Sequence, residues 1–230
     1  MNVISKLFRS TNVPSGGLAA DEQRVARRSN GLSELTRSLR QEESLRVLDL
    51  GSTSPQNIAF FTGLGHRIYN EDVLRASADP DLLIESEGGR KVVDVTRFLA
   101  ENLAYERESF DAVLCWDTPD YLDAALVKPI VQRIHSIMKP KGMLLAFFHT
   151  RDAGADAPYH RYHISSDATL ELQRVPFPGG HEAAARSARY LHVRLQRVFN
   201  NRHIENLFHD FSSIKFFLGR DNIREVLVVR

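Results

Sequence analysis

Carboxylates stand at three points where an apolar, strand-like run ends. Asp49 closes the run that starts at Arg46, Glu71-Asp72 follow a second run 22 and 23 positions later, and Asp117 ends a third that starts at Phe110. In an open α/β sheet the carboxyl ends of strands face the crevice where ligands bind. Gly51, two residues after Asp49, offers a tight turn, and Pro55 suits the first turn of a helix whose free N–H groups face the same crevice. An acid about twenty residues beyond such a turn accepts hydrogen bonds from ribose hydroxyls. Together these features point to an adenosine-containing ligand, and neither names a reaction.

Other reactive side chains are scattered. Trp116, Asp120 and Tyr121 lie beside Asp117 in sequence, and His149 ends the apolar run 143–148. Asp117 reads either as a ligand contact or as an ordinary strand-end cap, and His149 either as a general base or as the polar end of a strand. His160 and His163 are three apart in a strand-like segment, which puts them on opposite faces, and no cysteine or acid completes a metal-ligand set. No Gly-x-Ser-x-Gly elbow and no Gly-x-x-x-x-Gly-Lys phosphate loop occurs. The single cysteine, Cys115, excludes an intrachain disulfide, sits in an apolar run as a buried thiol would, and fits a reducing cytoplasm.

These residues need positioning elements, and 230 residues are enough for one α/β domain with its own core. No apolar run approaches the roughly 18 residues of a membrane helix, and the first ten residues are too polar for a secretory signal. Charge is uneven: 71–126 carries 14 acids against 5 bases, and 151–230 carries 12 Lys/Arg against 9 acids. The acidic middle argues against a nucleic-acid groove, and the mild basic excess of the last third does not supply one.

Residues 1–20 read as a flexible N-terminus, with 21–230 as a single domain. Hydrophobic spacing predicts a helix over 21–41, interrupted at Gly31. A strand at 46–50, a helix over 55–64 ended by Gly65, and a strand at 66–70 follow. The stretch 92–103 fits a strand or a helix. Strands are predicted at 110–117 and 143–148, with a helix between them whose first turn holds Pro129 and whose end is marked by Pro140 and Gly142. The runs 213–218 and 225–229, joined by Gly219-Arg-Asp-Asn222, read as an antiparallel hairpin. Residues 151–197 look inserted, with weak strands at 159–164 and 169–175 and a loop at 176–180. Alternating strands and helices imply a mostly parallel sheet covered on both faces.

Val47-Leu-Asp-Leu-Gly51 resembles the first motif of the Rossmann-like (class I) S-adenosylmethionine-dependent methyltransferases. Glu71-Asp72 fall where that family carries its ribose-binding acid, the segment 108–117 resembles its fourth strand, and Met138-Lys-Pro-Lys-Gly142 with 143–148 resembles its turn and fifth strand. The resemblance implies a seven-stranded, mostly parallel sheet with a C-terminal antiparallel hairpin. It implies S-adenosylmethionine as cofactor, held by Asp49, Gly51, Ser52, Thr53, Glu71, Asp72, Leu103 and Asp117. It also implies a base, if the acceptor must lose a proton, among Asp117, Tyr121 and His149. The family's Gly-x-Gly-x-Gly is here Gly51-Ser52-Thr53-Ser54-Pro55, so only the first glycine remains. The expected acceptor is a small molecule chosen by 151–197 acting as a cap, with Tyr159, His160, Tyr162, His163 and Phe177 as its lining. Two other readings stay open: a non-catalytic interaction or scaffold domain, and a nicotinamide-dependent oxidoreductase, which would want Gly-x-Gly-x-x-Gly.

Overall fold

The computed structural model describes residues 24–52, 54–85, 88–89, 91–151, 159–175, 194–219 and 221–230. The expected flexible N-terminus, Thr53, Phe177 and the loop at 176–180 lie outside them. The central sheet is formed by β2 (Arg46–Asp49), β3 (Arg67–Asn70), β6 (Phe110–Trp116), β7 (Met138–His149), β10 (Ser213–Leu218) and β11 (Ile223–Val229). Their order is β10-β11-β7-β6-β2-β3. The four strands β3, β2, β6 and β7 run parallel, while β11 is antiparallel to both β7 and β10.

Six strands of the seven implied by the resemblance occur in this sheet among the described residues. The stretch 92–103 holds both alternatives at once: β5 (Lys91–Val93) leads into helix α4 (Val95–Asn102). But β5 pairs with β4 (Leu83–Glu85) in a separate two-stranded ribbon, not with β3.

The central strands are apolar on both faces because both are covered, as in other parallel sheets. Alternation then sorts neighbours to opposite sides. Leu48, Val113, Cys115, Leu144, Ala146 and Phe148 enter one core with α3 (Val73–Ser77), α4, α6 (Ala124–Ile137) and α7 (Asn201–Leu207). Val47, Ala112, Leu114, Trp116, Leu145 and Phe147 enter the other with α1 (Asn30–Leu39) and α2 (Pro55–Gly63). Each fully buried Leu or Phe in these layers contributes about 1.5–3 kcal/mol relative to exposure.

The helix predicted over 21–41 is half right. Its first part is a strand, β1 (Arg24–Arg28), and α1 begins only at Asn30, where Ser29 caps it by accepting from the Leu32 N–H. The pull toward strand comes from β9 (Thr169–Arg174), which pairs antiparallel with β1 and with β8 (His160–Ser166). Gly31 does not interrupt the helix. It lets α1 lie on the sheet, since a Cβ there would fall 2.6 Å from Leu145 Cδ1 and 3.0 Å from Glu225 Oε2.

Two further expectations change. Pro129 lies inside α6 rather than in its first turn, because the helix starts at Ala124, after Asp123 accepts from the Ala125 N–H at 2.8 Å. Pro140 and Gly142 do not stand between helix and strand, since β7 already begins at Met138. The turn survives as a bulge, with the register jumping from Phe110–Met138 to Ala112–Met143 and Lys141 adopting φ 67°.

The inserted stretch keeps its two strands and uses them away from the main sheet. The β1-β9-β8 sheet packs against α2 and α1. Asn57 on α2 donates to the Tyr162 carbonyl at 3.2 Å and accepts from the Ile164 N–H at 2.8 Å, and Thr36 donates to the Asp167 carbonyl at 2.9 Å.

Candidate active site

At the carboxyl end of β2 the chain turns through Gly51 into α2. Ser54 caps that helix, accepting from the Asn57 N–H at 3.2 Å while its hydroxyl meets His163 Nδ1 at 2.8 Å. The adjacent end of β3 is tied to the turn by the Asn70 side chain, which donates to the Asp49 and Gly51 carbonyls at 3.2 and 2.9 Å. Asp72 caps α3 by accepting from the Arg75 N–H at 3.1 Å, and it also accepts from the Ser52 hydroxyl at 3.1 Å. Glu71 is half-buried, and its Oε1 accepts from the Tyr105 hydroxyl at 2.5 Å. Burial and the Glu71 carboxylate push the Tyr105 phenol well above its ordinary pKa, so Tyr105 acts as a donor.

Beside these acids opens a cleft of about 620 Å³ walled by Glu71, Asp72, Arg75, Asp79, Pro80 and Asn102, among others. That volume lies within the range of small-ligand pockets. Its three carboxylates against one guanidinium suit hydroxyl groups and cationic ligands better than a pyrophosphate.

Asp49 and Gly51 look inward. Asp49 is 1% exposed, with Oδ1 accepting from the Gly51 N–H at 3.0 Å and the Trp116 indole at 2.6 Å, and Oδ2 from Asn57 Nδ2 at 3.0 Å. Burial raises its pKa, and the three donors oppose the rise. A Cβ on Gly51 would stand 2.7 Å from Trp116 Cδ1 and 2.9 Å from its Nε1. Glycine is therefore required here by the indole whatever ligand binds. Trp116 itself holds φ 50°, rare for a bulky side chain and costing about 1–3 kcal/mol. It stacks on Tyr162 with 3° between planes and 5.1 Å between centroids. Leu103 is fully buried in the core beneath α4.

The sheet brings Asp117, Tyr121 and His149 into one cluster and adds Asp120. Asp117 precedes α5 (Thr118–Tyr121), a single turn that places Asp120 and Tyr121 beside the end of β7. Asp120 Oδ2 accepts from the His149 backbone N–H at 2.7 Å and meets its Nδ1 at 2.8 Å. Asp117 Oδ2 accepts from the Tyr162 hydroxyl at 2.9 Å. Asp117 Oδ1 and Asp120 Oδ1 are buried with no hydrogen-bond partner among the described residues. Burial raises Asp117 to about 7, despite the His149 charge and the Tyr162 bond. Burial works against charge on His149, but the Asp120 hydrogen bond and the two carboxylates outweigh it and lift the imidazole above its ordinary range. Asp117 is thus poised to exchange a proton near neutrality, where a general base is most effective. Burial pushes Cys115 up to about 12, which keeps it a neutral thiol at physiological pH.

In sequence Asp120 stands out only as a neighbour of Asp117. Its signal was the spacing Asp117-Thr-Pro-Asp120: three residues across one helical turn share a face. His163 is 2% exposed and held between Ser54 and Gln173, on the strand face opposite Tyr162. Among the described residues no three His, Cys, Asp or Glu side chains are grouped to hold a metal ion, and no helix is long and apolar enough to cross a membrane.

A mostly parallel sheet with helices on both faces, a reversed final hairpin and acids at the strand ends define a Rossmann-like α/β domain of class I methyltransferase type. The methyltransferase domain family model matches residues 22–211, so the chain belongs to that family, whose cofactor is S-adenosylmethionine. No curated protein matches the sequence. Among solved structures, the chain is similar to the Burkholderia thailandensis 1,6-didemethyltoxoflavin-N1-methyltransferase, at 14% identity and TM-score 0.46, covering 87% of this chain and 77% of that one. It is similar to an Archaeoglobus fulgidus S-adenosylmethionine-dependent methyltransferase, at 12% and 0.45, covering 86% and 94%. A Bordetella parapertussis protein described as a possible exported protein matches at 14% and 0.42 over 86% of this chain, which spans 66% of that protein's length.

Proposed function

We propose that the chain transfers a methyl group from S-adenosylmethionine to a small-molecule acceptor that loses a proton in the reaction. The observation that carries the proposal is Asp117: a carboxyl group poised near 7, buried at the carboxyl end of β6, with one oxygen that has no partner among the described residues. The cleft beside Glu71 suits the adenosine end of the cofactor. Glu71 is the acid for the ribose hydroxyls, and Asp72 and Ser52 brace the turn behind it.

When bound, the cofactor supplies a methyl group on a positively charged sulfur, so the protein's task is chiefly alignment. Asp117 takes the acceptor's proton on Oδ1. Tyr162 holds Asp117 in place, and its own pKa, raised by burial and by Asp117, keeps it a donor. Asp120 orients His149 through two bonds and stabilises its imidazolium form.

One observation supports a second reading, a non-catalytic domain. The Trp116 indole stands against Gly51, where a Cβ would fall 2.7 Å from its Cδ1, and so crowds the turn that the cofactor's amino-acid end would approach. Calorimetry separates the readings. S-adenosylhomocysteine should bind, and nicotinamide dinucleotides should not. No heat and no thermal shift with millimolar S-adenosylmethionine or S-adenosylhomocysteine, the protein being folded, would leave the scaffold reading standing.

A further inference from the structure

The two acids at the end of β6 are served unequally. Asp120 is met twice by His149 and is also eased by the Arg197 guanidinium. Among the described residues Asp117 accepts one side-chain hydrogen bond, from the neutral Tyr162 hydroxyl at 2.9 Å, beside a backbone bond of its own residue. It is 1% exposed, and its Oδ1 has no partner among the described residues. A buried carboxylate one donor short gains most from an N–H that brings its own positive charge. The Tyr121 ring lies close enough to feel the Asp117 charge, and it packs edge-on against His149 at 5.7 Å and against Tyr159 at 5.1 Å, both tyrosines being 4% exposed. Ring faces attract cations and do nothing for anions. The one imidazolium here, His149, is bonded to Asp120, so a carboxylate or phenolate acceptor would add a negative charge to two acids sharing that cation, and a neutral alcohol would bring no charge to Asp117.

We infer that the methyl acceptor is an amine, bound as its ammonium with one N–H donated to Asp117 Oδ1 and with Tyr121 and Tyr159 beside it. This rests on the methyl-transfer reading above and names the acceptor class that reading leaves open. In the reaction Asp117 accepts one proton from the ammonium and becomes a neutral acid. The freed nitrogen lone pair forms the N–C bond to the donor methyl as the C–S bond breaks. The bonding pair of that C–S bond remains on sulfur as a thioether, and the positive charge passes from sulfonium to methylated ammonium.

The groups facing Asp117 are His149 on β7, Asp120 and Tyr121 on α5, Tyr162 on β8 and Cys115 on β6, with Arg197 acting on Asp120 and His160 on His149. Because Asp117 ionises at about 7, amine preference should be full above that pH and fade below it.

The test uses the full chain with S-adenosylhomocysteine present. Thermal shift and calorimetry compare benzylamine, 2-phenylethylamine and tyramine with the alcohols and carboxylates of the same skeletons. The amines should bind about ten- to a hundredfold tighter than the matched alcohols, as a charged hydrogen bond implies, and the carboxylates should not bind. Asp117→Asn should abolish that preference while S-adenosylhomocysteine binds as before. Alcohols or carboxylates binding as well as amines, or no amine binding at all, overturns the inference while leaving methyl transfer intact. Loss of S-adenosylhomocysteine affinity in Asp117→Asn also overturns it, since Asp117 would then hold the cofactor's own ammonium. Failure of S-adenosylhomocysteine to bind the unsubstituted protein is the separate outcome that removes the methyltransferase reading itself.

Discussion

Asp49 and Asp117 are buried carboxylates at the carboxyl ends of two neighbouring parallel strands, β2 and β6, and each is 1% exposed. Asp49 accepts from three donors on the turn, on α2 and on Trp116. Asp117 accepts one side-chain bond, from Tyr162, beside a backbone bond of its own residue, and its Oδ1 has no partner among the described residues. The first holds a turn together. The second costs stability and stands ready to exchange a proton. Equal burial thus goes with unequal hydrogen bonding, and since an unmet buried polar atom is expensive, the contrast supports the proposed roles of scaffold for Asp49 and proton acceptor for Asp117.

The largest expected break in this comparison is in stability. Asp49→Ala strands three buried donors and should cost about 3–5 kcal/mol in urea unfolding, at roughly 1–3 kcal/mol for each unsatisfied group with partial relaxation. Asp117→Asn should cost under about 1 kcal/mol or stabilise the fold, because it removes a buried charge lacking a full set of partners. Equal losses would show that the two acids do the same job.

Glu71→Ala serves as a control that belongs to neither acid. It should weaken S-adenosylhomocysteine binding by about one to two decades, the loss of a charged contact worth roughly 1.5–3 kcal/mol, with the melting temperature little changed. If Asp72→Ala has that effect instead, the ribose acid is one residue on.

Gly51→Ala tests whether glycine serves the indole. It should destabilise by about 1–3 kcal/mol through overpacking, and Trp116→Leu should remove most of that further penalty in a double-substitution cycle. A Gly51→Ala variant of normal stability that no longer binds cofactor would return the glycine to the ligand.

The smallest effect per step is in pH. The folded pKa of Asp117 is raised to about 7 from an ordinary 3.8, so between those values the folded state holds a proton the unfolded state has released. Stability should therefore fall as pH rises through this window, by at most about 1.4 kcal/mol per unit. His149, also raised, adds a loss of the same sign as pH rises through its folded pKa. Unfolding of Asp117→Asn should show a flatter profile from pH 4 to 7, and identical slopes would deny Asp117 its raised pKa.

Much of this architecture was legible locally. The strand–turn–helix from Arg46 to Gly63, the apolar strands β6 and β7 and the final hairpin announce themselves because their signals lie within a few residues of one another: an apolar run, a turn glycine, a proline at a helix start. The acids Asp49, Glu71 and Asp117 were recognisable for the same reason, as polar residues closing apolar runs.

The tertiary structure decided what depends on partners far along the chain. Arg24–Arg28 is a strand only because β9, about 145 residues later, offers an edge to pair with. Gly51 answers to an indole 65 positions away, and Asp120 gains its meaning from His149, 29 positions on. Which of two equally buried acids is saturated and which is poised rests on Trp116, Asn57 and Tyr162 arriving from three different elements. Amino-acid order can announce a carboxylate at a strand end. Only packing counts the donors around it, and that count sets its charge, its cost and its use.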